Sequence, residues 1–205
     1  MAADARRAGR RPDGDVPAAP RGWPRNGSFE PERTALLVIG MKGAGTSGGR
    51  AATNLRKLLD VVRAQPGFTI AFFRDGADPQ RTWTGECAPQ ESDWIVDVAG
   101  PGAFDGTEFN ERLRRRGITS LIFAGRTTEG LIAAAMREAV GRGYECLLVE
   151  DCAASDDVAS HVAALRSIAA ARDGALGAVT SSDKLIGAVL RLQLQARYRP
   201  IEGGT

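Results

Sequence analysis

At 205 residues the chain is long enough for one α/β domain with a substantial core, and short for two domains of ordinary size. Its 27 basic and 25 acidic residues recur along the whole length and leave a formal charge of +2, which argues against nucleic acid as a partner. No run approaches the roughly 20 apolar residues that span a bilayer, and the N-terminal arginines lack the apolar core of a secretory signal; no membrane is expected, and the expected compartment is the cytoplasm.

Residues 1–28 combine Pro, Gly, Ala and mixed charge without periodicity, which predicts a flexible arm, draped at most through Trp23, ahead of a domain over 29–205. From Thr34 onward, short continuous apolar runs alternate with segments of helical period, the pattern of a parallel sheet covered on both faces. The first strand is "ALLVI" (35–39), followed by a helix with Leu55, Leu58, Leu59 and Val62 on one face. Strands "TIAFF" (69–73) and "WIVDV" (94–98) come next, then a helix showing Phe109 and Leu113. "SLIFA" (120–124) leads to a helix with Ile132, Met136, Ala139 and Val140 on its core side. "ECLLVE" (145–150) precedes a helix striped with Val158, Val162, Leu165 and Ala169, which Ser155 is placed to cap and whose positive end suits Asp156 and Asp157. "GAVTS" (177–181) is the sixth strand. The last helix, 182–197, turns Leu185, Val189 and Leu192 to one side and Leu190 and Leu194 to another; the second stripe predicts a homo-oligomer contact, with extra burial as the alternative. The expected fold is a three-layer α/β/α sandwich around a six-stranded, mostly parallel, Rossmann-like sheet.

In such folds ligands bind beyond the carboxyl ends of the strands, where strand order reverses. There Gly43, Gly45 and Gly48 spell a dinucleotide fingerprint, but the strand ends at Gly40, three residues early, and Asp75 lies well past the usual offset of about 20 residues. No cofactor is expected. Cys87, Cys146 and Cys152 have no metal-ligand spacing, so neither a metal site nor a disulfide framework follows.

Four segments, "RTALLVIGMKG" (33–43), "GAFDGTEFNERLRRRGI" (102–118), "SLIFAGRTTEGLIAAAMREAVGRGYECLLVEDCAAS" (120–155) and "HVAAL" (161–165), resemble in order the isochorismatase-like, or cysteine hydrolase, superfamily. The resemblance implies a site made from an aspartate ending the first strand, a lysine shortly before an S-A-F segment and a cysteine at the start of a helix. At the matching positions stand Gly40, Val98 and Leu131, with Gly102 in place of the serine. The resemblance also implies a cis peptide at Arg126–Thr127, followed by amides like an oxyanion hole. Glycine, valine and leucine neither carry a proton nor attack a carbonyl, so the amide chemistry of the family is expected to be lost.

What remains near the strand ends is a set of candidates. Asp75, Arg126 and Glu129 are alternative catalytic groups; Lys42, Arg74, Thr127 and Thr128 are polar binding candidates, with Trp83 and Phe104 as walls. Structural duties compete for each: surface ion pairs for Arg74, Asp75 and Arg126, a solvent-facing stem for Lys42, a dipole contact for Glu129 and an N-cap for either threonine. Cys87 is the candidate for a relocated nucleophile, and His161 reads as packing. Three functions follow: a non-hydrolytic enzyme acting by cyclisation, isomerisation or elimination on a small apolar metabolite; a silent ligand- or partner-binding protein; and a hydrolase with relocated groups, Cys87 or Asp75. The Ala-, Arg- and Gly-rich composition is that of a high-GC bacterial genome, where natural-product pathways are common.

Overall fold

The structure, a computed structural model, describes residues 30–40, 49–75, 83, 87–98, 102–104, 108–171 and 176–197. The arm expected over 1–28, Lys42 and the fingerprint glycines Gly43, Gly45 and Gly48 lie outside the described residues.

Six strands form one sheet: β1 (Thr34–Ile39), β2 (Thr69–Asp75), β3 (Trp94–Val98), β4 (Ser120–Arg126), β5 (Glu145–Ala154) and β6 (Ala178–Thr180). Their order is β3-β2-β1-β4-β5-β6, and every neighbouring pair is parallel. All six residues of β1 are buried, because helices cover both faces and leave no side for polar alternation. The pleat sorts the rest. Leu37, Phe73, Phe123 and Leu148 pack with α2 (Phe109–Arg115), α3 (Ala133–Gly141) and α4 (Val158–Ala170). Leu36, Phe72, Ile122 and Leu147 pack on the opposite face with α1 (Arg50–Arg63) and α5 (Ser182–Arg197). Each fully buried side chain of this size contributes roughly 1.5–3 kcal/mol.

Several boundaries move. β2, β4 and β5 run on to Asp75, Arg126 and Ala154, and β6 is shorter than expected. Between Phe123 and Gly125 the register of β4 slips against β5, so that Val149–Cys152 form an excursion opposite the slip. That excursion delivers Asp151 to the α1/α5 layer. Its carboxylate accepts from Ser182 N at 2.7 Å and Ser182 Oγ at 2.8 Å, at the start of α5, and its carbonyl oxygen accepts from Asn54 Nδ2 of α1 at 3.0 Å. The connection between β2 and β3 is tied down by Arg63, whose Nη2 donates to Asp93 Oδ2 at 2.6 Å and to Ala88 O at 3.1 Å.

The helix α4 departs from expectation at its first turn. Val158 is 62 % exposed, outside the core stripe that Leu165 and Ala169 continue. The cap is Asp157, not Ser155: its carboxylate accepts from Ser160 N at 2.9 Å and from Ala159 N at 3.3 Å. These bonds, first among them those from Ser160, hold the Asp157 carboxyl below its ordinary pKa of 3.8. A depressed pKa means that the cap stabilises the fold above the ordinary value and loses its effect as pH falls through the folded one. Asp157→Ala is therefore expected to lower Tm at neutral pH, with the gap to wild type closing as the pH is taken below 3.8; thermal unfolding across a pH series checks it, and a pH-independent gap would contradict the cap.

Candidate functional site

The strand order reverses between β1 and β4, so their carboxyl ends, Ile39-Gly40 and Arg126-Thr127, frame the expected crevice. Their backbones are in close contact there. Gly40 has φ +68°, and a Cβ built on it would stand 1.9 Å from the Arg126 carbonyl oxygen and 3.4 Å from Leu131 Cδ1. Gly125 answers it from β4, with φ +127° and a would-be Cβ 1.8 Å from the Ile39 carbonyl oxygen. Only glycine fits either position without displacing backbone. The Arg126–Thr127 peptide is cis.

Beyond it the chain enters a π-helical turn, Thr128–Ile132, that runs into α3. Thr127 caps the turn, its Oγ1 accepting from Leu131 N at 3.4 Å. Thr128 is fully buried; its hydroxyl donates to Ala154 O at 3.2 Å, which leaves it to accept from His161 Nδ1–H at 2.8 Å. That assignment puts the Nδ1 proton on the only histidine of the chain and pins the turn to the end of β5 and to α4. Leu131, 39 % exposed, is held beside Gly40 by this turn.

The charged candidates bond within the protein. Arg126 pairs with Asp156, and Glu129 accepts from the Ser155 hydroxyl. Arg74 faces Asp97 across the β2–β3 register and donates to it through Nη2 at 2.8 Å; that hydrogen bond is the main reason its pKa lies above the ordinary value. Asp75 ends β2 opposite Val98 in the same register. Val98 is partly buried against the core, two strands from Gly40. Gly102 abuts α3, where a Cβ would meet Glu138 Oε1 at 2.4 Å, while Glu138 Oε2 accepts from Phe104 N at 3.0 Å.

Of the two proposed walls, Phe104 is a core ring and Trp83 a half-buried one packed against the core. Phe104 is 3 % exposed, near-stacked on Tyr144 with the Arg142 guanidinium over its face. Trp83 sits edge-on to Phe72 in the α1/α5 layer. Cys87 lies in that layer too, its thiol directed at the Ala52 carbonyl oxygen at 3.3 Å, a partner that cannot act as a base. Burial pushes the Cys146 thiol up to about 12 and raises that of Cys152 as well, so neither is a nucleophile at neutral pH. Among the described residues no cluster of His, Cys, Asp and Glu could hold a metal ion. A groove of about 270 Å³ opens between the π turn, α3 and α4, floored by Met136 and Ile168 and edged by Glu129, Arg137 and Ser160. Neither Arg126 nor Thr127 is among its lining.

Sequence reasoning missed Asp97, Glu138, Ser155 and Asp156 as partners. Asp97 becomes visible only once β2 and β3 are in register, and the other three answer residues at least 26 positions away.

Residues 34–184 match the family model described as the isochorismatase domain. The isochorismatase family protein YwoC of Bacillus subtilis is 31 % identical over 163 residues, covering 67 % of this chain and 86 % of its own. The ureidoacrylate amidohydrolase RutB of Agrobacterium fabrum is 24 % identical over 176 residues, 60 % of this chain and 77 % of its own. In architecture the chain is similar to a cysteine hydrolase from Pseudomonas syringae pv. phaseolicola, with a TM-score of 0.71 at 22 % identity, covering 85 % of this chain and 98 % of that one.

Proposed function

Since the chain belongs to the isochorismatase family, we propose that it has kept the strand-end site of that hydrolase fold without its hydrolytic chemistry. It acts on a small, weakly polar metabolite by holding and orienting it, through cyclisation, isomerisation or elimination. The observation that carries this reading is the closure at Gly40. The position matched to the family's acid has no room for a Cβ, 1.9 Å from the Arg126 carbonyl oxygen, so a carboxylate there requires the backbone to move. Leu131, matched to the nucleophile, is the neighbouring side chain, which supports the matching of both positions. Replacing an acid and a thiol by glycine and leucine makes the crevice floor apolar, which disfavours charged intermediates and favours uncharged ligands.

A second reading, a silent binding or partner protein, is favoured by one observation: Arg126, Glu129, Thr127 and Thr128 already have internal partners.

Mass spectrometry separates the two. Purified protein is expected to leave ureidoacrylate, nicotinamide and N-carbamoylsarcosine unchanged, and, given a panel of small metabolites, to convert one to an isomer of equal mass or to products whose masses sum to that of the substrate. Retention of a ligand without conversion supports the second reading against the first. Turnover of the amides, or products whose masses sum to the substrate plus one water, overturns both.

A further inference from the structure

The helix α5 turns Leu185 and Val189 to the core, and Gln193 Nε2 reaches the Val61 carbonyl oxygen of α1 at 3.5 Å. Its outer side leaves Leu190 42 % and Leu194 53 % exposed. With Asp183, Gly187 and Arg197 these residues recur at steps of four, three, four and three, the spacing of a helix–helix seam.

Turned end for end about Leu190, the seam complements itself. Leu190 meets its counterpart on the axis, and Leu194 of one copy falls over Gly187 of the other. Among the described residues, a Cβ at Gly187 would find only Arg191 Nη1 within 4 Å, at 3.6 Å, the tip of a flexible side chain, so the leucine has a hollow to enter. Asp183 of each copy lies beside Arg197 of the other, at the two ends of the helix pair. A parallel arrangement would set aspartate against aspartate and arginine against arginine, so the charges select the antiparallel one. We propose that the outer face of α5 docks a second copy of this chain, antiparallel, as the two-fold contact of a homodimer.

The contact is a weak one. Lys184 and Arg191 lie to one side of the seam and bring like charges closer, and a single helix face buries less than the ~800 Å² per partner of a standard interface, so the dimer is a weak one. Sedimentation velocity over a concentration series through the micromolar range is expected to show monomer passing to dimer. Leu190→Glu should be monomeric throughout while still unfolding cooperatively, since Leu190 is 42 % exposed and lies outside the buried core. Asp183→Arg should weaken the dimer about 10-fold, and Asp183→Arg with Arg197→Asp should restore it. Leu190→Cys, on the axis, should form an intermolecular disulfide as oxidised glutathione is reduced. A wild type that stays monomeric, a dimer indifferent to Leu190→Glu, a double swap without recovery or a Leu190→Cys variant that does not cross-link would each overturn the proposal.

Discussion

Gly40→Asp, which would restore a carboxylate at the end of β1, is expected to lower Tm by about 6–12 °C rather than to restore hydrolysis. Two costs combine. A side chain at φ +68° is strained, by roughly 1–2 kcal/mol for an ordinary residue. Overpacking adds about 1–3 kcal/mol, because the Cβ meets the carbonyl oxygen of Arg126, backbone that cannot swing aside as a side-chain tip would. The sum is about 3 kcal/mol, which in a chain of this length corresponds to the shift stated. Gly141→Ala is the control: nothing lies within 4 Å of its would-be Cβ and it ends α3, so it should be neutral or slightly stabilising. The double variant Gly40→Asp/Leu131→Cys should acquire no amidase activity, since the position matched to the lysine remains Val98. If Gly40→Asp melts with the control, the two strand ends can part, and the closure argument for a non-hydrolytic site fails.

Arg63→Met is expected to cost about 3 kcal/mol, the lower end of the range for removing one partner of a buried ion pair. Asp93 is 3 % exposed at its side chain and Arg63 12 %, so among the described residues the abandoned carboxylate would keep only the Gln90 N–H at 2.8 Å. The lower end applies because Arg63 Nε is itself buried and takes no partner among the described residues, so the pair is not fully satisfied to begin with. Arg63→Met/Asp93→Leu should recover most of the loss, since a buried pair is often replaced by apolar packing at little cost. Thermal or urea unfolding of the single and double variants measures both. A single variant as stable as wild type would mean that the Asp93 carboxylate reaches water.

Much of the fold was legible because a parallel sheet covered on both faces writes its strands as unbroken apolar runs, and "WIVDV" is found residue for residue as β3. The helical faces of α1, α2 and α3 followed from spacing in the same way, with Leu55, Leu58, Leu59, Val62, Phe109, Leu113 and Met136 all buried. The first turn of α4 was not, because the residue that caps a helix depends on where the chain leaves β5; with Ala154 still in the strand, Asp157 takes the place expected of Ser155 and Val158 turns outward. The site was legible as positions but not as partnerships. Gly40 and Leu131 could be named from their motifs, yet their adjacency, and the reason glycine stands at 40, come from a carbonyl more than eighty residues away. Phe104 read as a pocket wall because an aromatic after a glycine-alanine pair carries no mark of depth; only the packing of Tyr144 and Arg142 around it shows a core ring.

Asp151 gathers bonds from Asn54 and Ser182 onto one residue of the β5 excursion. Among the described residues its groups join α1, the end of a middle strand and the start of α5 through hydrogen bonds alone. A change that shifts the start of α5 is therefore expected to be felt both at α1 and at the end of β5, next to the crevice.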